Sequence, residues 1–84
     1  MTTPDWLTLR GGELKCGSDG RTWYFIVGGQ PQYSLVAVPA GGRFGCTIRQ
    51  TINGKRIASA GVHASAEDAI RAGLEDLRKE LGWG

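Results

Sequence analysis

Residues 43–81, RFGCTIRQTINGKRIASAGVHASAEDAIRAGLEDLRKEL, contain the pattern that decides the fold. From Arg43 to Arg49 apolar and polar residues alternate, which is typical of a strand with one buried face. Asn53-Gly54 follows, and this dipeptide is the strongest short signal for a hairpin turn of type I′. The segment therefore predicts two antiparallel strands joined by a two-residue loop and followed by a helix.

A two-residue loop fixes which residues of the hairpin face each other. It places Ile52 opposite Lys55, Thr51 opposite Arg56, Gln50 opposite Ile57 and Arg49 opposite Ala58. In this register Arg49 and Arg56 are diagonal neighbours across the hairpin. One face then carries apolar side chains, namely Phe44, Cys46, Ile48 and Ile57. The other face carries polar side chains: Arg43, Thr47, Arg49, Thr51 and Arg56.

The helix is predicted to begin after Ser65, an N-cap residue followed three positions later by Asp68 in an acidic variant of the capping box. Its apolar stripe recurs at spacings of four, three and four, as expected for a helix that lies on a sheet. Gly73 falls on the stripe, where it either allows close approach to the sheet or is merely tolerated. Gly82 is expected to end the helix, with Trp83 folding back over the core. The stripe consists of Ile70, Leu74, Leu77 and Leu81.

Upstream of residue 43 the glycine-bounded apolar runs predict further strands. These are Trp6–Arg10, Leu14–Cys16, Thr22–Val27 and Tyr33–Val38, the last ended by Pro39, which has no N–H for a continuing ladder. The expected fold class is α+β: a four- or five-stranded antiparallel meander with one C-terminal helix packed on one face. Residues 1–84 form one predicted domain, with a flexible tail over 1–5, the sheet over 22–61 and the helix over 65–81.

The charge of the 84-residue chain is divided unevenly between sheet and helix. The first 64 residues carry seven basic and three acidic side chains, whereas the last 20 carry three basic and five acidic ones. A basic sheet beside an acidic helix favours an anionic partner for the sheet, although an ordinary solvated surface fits the same numbers.

The sequence contains no pattern of residues for catalysis or metal binding. His63 is the only histidine, and no serine or cysteine is tied to it by spacing. Cys16 and Cys46 are far apart and are expected to be buried thiols rather than a disulfide or zinc ligands. We therefore expect a protein that is not an enzyme and has no catalytic residues, metal, cofactor or small-molecule substrate. With no export signal and no run of about 20 apolar residues, a cytoplasmic protein without membrane association is expected.

The polar face of the hairpin is the best candidate site, because arginine and threonine suit phosphate oxygens and base edges. The predicted nucleic-acid-binding residues are Arg43, Thr47, Arg49, Thr51, Lys55 and Arg56. The alternative is that this face is only solvated and that the chain is a protein-interaction or homodimerisation module, which pairs through an open sheet edge or through exposed aromatic residues. The candidate aromatic residues, which could also stack on unpaired bases or fill the core, are Trp23, Tyr24, Phe25 and Tyr33.

Two families resemble the second half of the chain. Residues 42–49 (GRFGCTIR), Gly54-Lys55-Arg56 and residues 61–69 (GVHASAEDA) look like the three-strand-plus-helix DNA-binding domain of plant AP2 factors and phage-integrase arms. That resemblance implies DNA contacts by Arg43, Arg49 and Arg56. Asn53-Gly54, residues 57–59 (IAS), Ser65, Ala69, Gly73-Leu74 and residues 77–79 (LRK) are similar to the bacterial YegP-like small domains. This second resemblance implies a hairpin with a packed helix and no particular activity.

Overall fold

The computed structural model describes residues 2–57, 59 and 61–83 of the chain. A short helix α1 (Asp5–Thr8) precedes a five-stranded antiparallel sheet whose strands lie side by side in chain order. The helix α2 (Ala66–Leu81) follows, so the predicted α+β meander with a C-terminal helix is confirmed. The sheet begins ten residues before the predicted range of 22–61. Its strands are β1 (Gly12–Cys16), β2 (Thr22–Val27), β3 (Gln30–Ala40), β4 (Arg43–Gln50) and β5 (Arg56–Ile57).

The helix α2 covers one face of the sheet, chiefly over β3 and β4. In the strand register Leu35 lies opposite Ile48, which lies opposite Ile57, so these residues point to the same face. Leu35 and Ile48 are completely buried. The core that results from this packing consists of Leu7, Leu14, Phe25, Leu35, Ala37, Ile48, Ile70, Leu74 and Leu77.

Both ends of α2 are formed by the residues that the sequence indicates. The Asp68 N–H donates to the Ser65 hydroxyl oxygen at 3.1 Å, which satisfies one of the free N–H groups of the first turn. At the other end Gly82 has a φ of 70°, and the Trp83 N–H donates to the Arg78 carbonyl oxygen at 3.0 Å. This bond turns Trp83 back onto the core, where it lies 5.9 Å from the ring of Phe25.

Gly73 lies where α2 passes closest to the sheet. A Cβ atom built at this position would contact the Cys46 Sγ, and it would lie 3.2 Å from the Cys46 Cβ and 3.3 Å from the Leu35 Cδ2. Close approach, rather than tolerance, is therefore the reason for the glycine, since a methyl group would push the helix away from β3 and β4.

The predicted strand over Trp6–Arg10 is wrong, because Asp5–Thr8 form the helix α1. The N–H groups of Leu7 and Thr8 both donate to the Pro4 carbonyl oxygen at 3.1 Å. Leu7 is completely buried, and a Cβ atom on Gly12 would collide with its side chain. Short apolar runs do not distinguish helix from strand, and here packing of Leu7 onto the start of β1 decides between them. Within the predicted flexible tail, Met1 lies outside the described residues, and the Thr3 Oγ1 accepts a bond from the Leu14 N–H at 3.1 Å.

The strand β3 does not end at Pro39 as predicted. It extends from Gln30 to Ala40 and pairs with β4 along most of its length, including Pro39 opposite Phe44. On its other side the pairing with β2 ends at Val36, opposite Thr22. Pro39 is therefore beyond the end of β2, where its missing N–H interrupts no ladder.

The predicted register of the last hairpin is wrong by two residues. Arg49 lies opposite Arg56 and Ile48 opposite Ile57, while residues 51–55 form the loop. The Gly54 N–H donates to the Gln50 carbonyl oxygen, and among the described residues only glycines have positive φ, so Asn53 does not adopt the type I′ conformation. A shift of two residues leaves every side chain on its predicted face. The predicted partner of Arg49, Ala58, lies outside the described residues.

The cysteines are both free thiols, and the expectation that both are buried is wrong for one of them. Cys46 is half-buried beneath α2, but Cys16 is exposed because it ends the outermost strand, β1. No helix in the described part of the chain combines the length and the apolar character needed to cross a bilayer.

Candidate nucleic-acid interface

The face of the sheet opposite α2 has no layer packed on it in the described part of the chain. One row of directly opposed residues crosses this outer face through all five strands. With strands about 4.8 Å apart, the row is about 19 Å long. It contains three cations, one tyrosine and one serine: Lys15, Tyr24, Ser34, Arg49 and Arg56.

Arg49 and Arg56 form the most closely spaced pair of cations in this row. The next pair along the two strands is Gln50 and Lys55, in which the Gln50 N–H donates to the Lys55 carbonyl oxygen at 2.8 Å. Hydrogen-bonded and non-hydrogen-bonded pairs alternate along an antiparallel ladder, so Arg49 and Arg56 occupy a non-hydrogen-bonded pair, in which side chains are closest. Both side chains are exposed. The Cβ atoms of Arg49 and Arg56 are thus about 5 Å apart, and both side chains carry a positive charge on an open surface.

Arg43 lies on the same face but not beside this pair. It is opposite Ala40 at the far end of β4, six residues from Arg49, which corresponds to about 20 Å along the strand. Thr47 lies between the two arginines, half-buried and opposite Val36. These arginines therefore share one face, as the alternation predicts, but the structure separates them into a pair at one end and a single arginine at the other.

The two remaining predicted residues lie in the loop after β4 rather than in a strand. The Thr51 hydroxyl donates to the Pro31 carbonyl oxygen, so its proton is already used within the fold. Lys55 is exposed and immediately precedes Arg56. Thr51 therefore supports the loop, and Lys55, opposite Gln50, adds a cation at the sheet edge on the side that α2 covers.

The basic residues divide into those that have a partner within the fold and those that do not. Arg10 lies over the Trp83 ring at 4.8 Å, Arg71 pairs with Glu67 at 2.9 Å, and Arg78 pairs with Glu75 at 3.3 Å. Lys15 has a longer contact, 3.8 Å, with Glu13. By contrast, no ion pair or side-chain hydrogen bond within the described ranges involves Arg43, Arg49 or Arg56.

The aromatic candidates are used mainly in the core. Phe25 is completely buried, and Trp23 and Tyr33 pack against the core from the face that α2 covers. Tyr24 is the exception, because it points to the outer face and is 37% exposed. Its place in the row beside Lys15 was missed by sequence reasoning. The alternation of Glu13, Leu14 and Lys15 indicates that Lys15 points away from the core. It does not reveal that β2, which carries Tyr24, lies beside β1.

The lone histidine has a structural position. Its backbone forms two 2.8 Å hydrogen bonds with Phe44, which attach the segment before α2 to β4. Among the residues that the structure describes, no three His, Cys, Asp or Glu side chains are grouped as a metal site would require. The prediction that the chain is not an enzyme remains a prediction.

Comparison with protein-family models, with curated proteins and with solved structures found no match to this chain. The two resemblances described above therefore remain predictions. The fold and the charged face define the chain as a small α+β domain with an open sheet surface, and its function has to be argued from that surface.

Proposed function

We propose that the chain is a nucleic-acid-binding module that contacts phosphates with the outer face of its sheet. The observation that carries the proposal is the direct opposition of Arg49 and Arg56 on an exposed face. Like charges placed opposite each other destabilise a sheet, and no acidic side chain in the described ranges forms an ion pair with either arginine. A bound phosphate between the guanidinium groups would relieve the repulsion with charge-assisted hydrogen bonds.

The arrangement along the row favours the same ligand. Ser34, Tyr24 and Lys15 continue the row towards β1, and Lys55 lies at the sheet edge beside Arg56. A polyanion of linear shape can contact several of these groups at once, whereas a single small anion would use only one end of the row. Arginine and lysine contacts of this kind position a nucleic acid without reading its sequence.

A salt titration of binding tests the proposal. Fluorescence anisotropy with labelled DNA and RNA should show an affinity that falls steeply as salt increases, because each phosphate contact releases counterions. The double variant Arg49→Ala/Arg56→Ala should reduce the slope of log affinity against log salt by about 1.4 to 1.8, which corresponds to two phosphate contacts. The matched control is Arg71→Ala/Lys79→Ala, which removes two charges from the exposed side of α2 and should change the slope much less. Absence of binding at low salt, or equal behaviour of the two double variants, would contradict the proposal.

A second candidate function is homodimerisation through the same outer face. Val38 is 41% exposed there, and Ile26 and Val36 are partly exposed, so the face also carries apolar surface. A concentration series in multi-angle light scattering would detect a dimer, and a monomer at all concentrations would exclude this candidate. The variant Val38→Lys should abolish a dimer formed through this face.

A further inference from the structure

A polar cleft lies at the edge of the sheet, on the side that α2 covers. Its volume is about 390 Å³, within the range of small-molecule sites. It lies where the sheet meets the last turn of α2: Tyr33 and Gln50, which are opposite each other on β3 and β4, line it together with Leu81. Tyr33 and Leu81 supply apolar surface and Gln50 supplies an amide.

The cleft adjoins the cations of the outer face. Arg56 and Lys55 both line it, and Arg56 is also the residue opposite Arg49. Because β5 is the edge strand, Arg56 belongs to the cleft and to the outer row at once. A chain of phosphates lying on Arg49 and Arg56 would therefore pass directly by the opening of the cleft.

The part of the cleft beside Glu80 is not suited to a phosphate. Glu80 lines it, and Glu80 and Leu81 are the last two residues of α2, so the negative end of the helix dipole adds to the carboxylate charge. A neutral group with hydrogen-bond donors fits this environment better than an anion. The exocyclic amine of a nucleobase is such a donor, and a carboxylate commonly accepts from the N4 amine of cytosine.

We propose that this cleft binds one unpaired, amino-bearing base of a single-stranded nucleic acid, with Glu80 accepting from the amine while Arg56 and Lys55 contact the adjacent phosphates. The inference rests on the proposed function and assigns its ligand as single-stranded. A base within a duplex is stacked and held in its pair, so it cannot enter a cleft at the sheet edge, whereas bases of single strands can be splayed out and read along their edges.

The test compares short labelled oligo(dC), oligo(dT) and duplex DNA by anisotropy at low salt and neutral pH, using the full chain. The two single strands are both pyrimidine polymers and differ at the group in question, an amine in cytosine and a carbonyl oxygen in thymine. Oligo(dC) should bind at least about fivefold more tightly than oligo(dT), the lower end of what one specific base contact provides. Equal affinities for the two single strands would overturn the inference.

Two carboxylate variants separate base recognition from simple charge. Glu80→Ala and Glu75→Ala each remove one negative charge from an exposed position of α2, and Glu75 lines no part of this cleft. In either variant, reduced repulsion alone would strengthen the binding of oligo(dC) and oligo(dT) alike and leave the preference unchanged. We expect instead that Glu80→Ala loses the preference for oligo(dC), whereas Glu75→Ala retains it. Identical behaviour of the two variants would overturn the inference.

The outcomes also distinguish this inference from the proposed function. Binding of duplex DNA without preference for single strands would overturn the assignment of the cleft and leave the phosphate-binding face supported. Failure of all three nucleic acids to bind at low salt would overturn both.

Discussion

Arg49 and Arg56 lie directly opposite each other across β4 and β5, in a non-hydrogen-bonded pair on the exposed face of the sheet. A pair of like charges in this position destabilises a sheet. The free protein thus carries a destabilising contact that a bound anion would turn into a stabilising one, which links the stability of the edge strand to binding.

Replacing one of these arginines by an acid should stabilise the fold and abolish its proposed function. Arg49→Glu converts the repulsion into attraction, and we expect the free energy of unfolding at low salt to rise by about 0.5 to 1 kcal/mol. Urea denaturation at two salt concentrations measures this, since added salt should diminish the gain. Arg43→Glu is the control, because Arg43 lies opposite Ala40 and should change stability by less than about 0.5 kcal/mol.

Substitution of Gly73 should destabilise the contact between α2 and the sheet. Alanine is the better helix former by about 1 kcal/mol, but its methyl group would collide with Cys46. Because overpacking costs about 1 to 3 kcal/mol, Gly73→Ala is expected to lower the free energy of unfolding by up to about 2 kcal/mol. Thermal denaturation of Gly73→Ala/Cys46→Ala should show partial recovery, and a stabilised Gly73→Ala single variant would contradict this account.

Removal of the Trp83 side chain should loosen the packing between α1 and the end of α2. The ring centroid of Trp83 lies 5.9 Å from that of Phe25 and 6.4 Å from that of Trp6, and the guanidinium group of Arg10 lies over the Trp83 ring. Trp83 is half-buried, so Trp83→Ala should cost less than the 3 to 5 kcal/mol typical of a core tryptophan, about 2 kcal/mol. Chemical denaturation checks the value against Leu9→Ala, whose side chain is 86% exposed and should have little effect.

The two thiols should differ strongly in their reactivity. Burial, together with the negative charge of Asp76, raises the pKa of Cys46 to about 11. Its thiolate is therefore scarce at pH 8, whereas Cys16 is exposed. A thiol reagent should modify Cys16 rapidly and Cys46 slowly, and Cys16→Ser should remove the rapid phase. Because the folded state favours the neutral thiol, any stability that Cys46 contributes is complete below pH 9 and is lost as the pH rises towards 11.

Acid should weaken the turn between β1 and β2. The Asp19 carboxylate accepts hydrogen bonds from the Thr22 hydroxyl at 2.7 Å and from the N–H groups of Arg21 and Thr22 at 2.9 Å. These bonds lower the pKa of Asp19, the Thr22 hydroxyl most of all. The stability they provide is present above the ordinary value of 3.8 and is lost as the pH falls through the lower pKa of the folded state. Denaturation at pH 7 and below pH 4 should therefore show a smaller acid-induced loss in Asp19→Asn and in Thr22→Val than in the parent.

The amino-acid pattern alone determined which side chains share a face. Alternation from Arg43 to Arg49 separated the arginines from Ile48, and the stripe of α2 with its Ser65 cap and Gly82 end identified the layer that covers the apolar face. These properties follow from the periods of strand and helix, which are local. A register error of two residues did not disturb them, because side chains of a strand return to the same face every second residue.

Only the tertiary structure decided which residues are neighbours. The five-residue loop placed Arg49 opposite Arg56, the pairing of β1 with β2 brought Lys15 and Tyr24 into the same row, and the end of α2 over the sheet edge formed the cleft at Glu80. Packing of Leu7 turned a predicted strand into α1, and the short reach of β2 allowed β3 to continue through Pro39. Each of these outcomes depends on contacts between segments distant in the chain, and their free energies outweigh the local preference of any single segment.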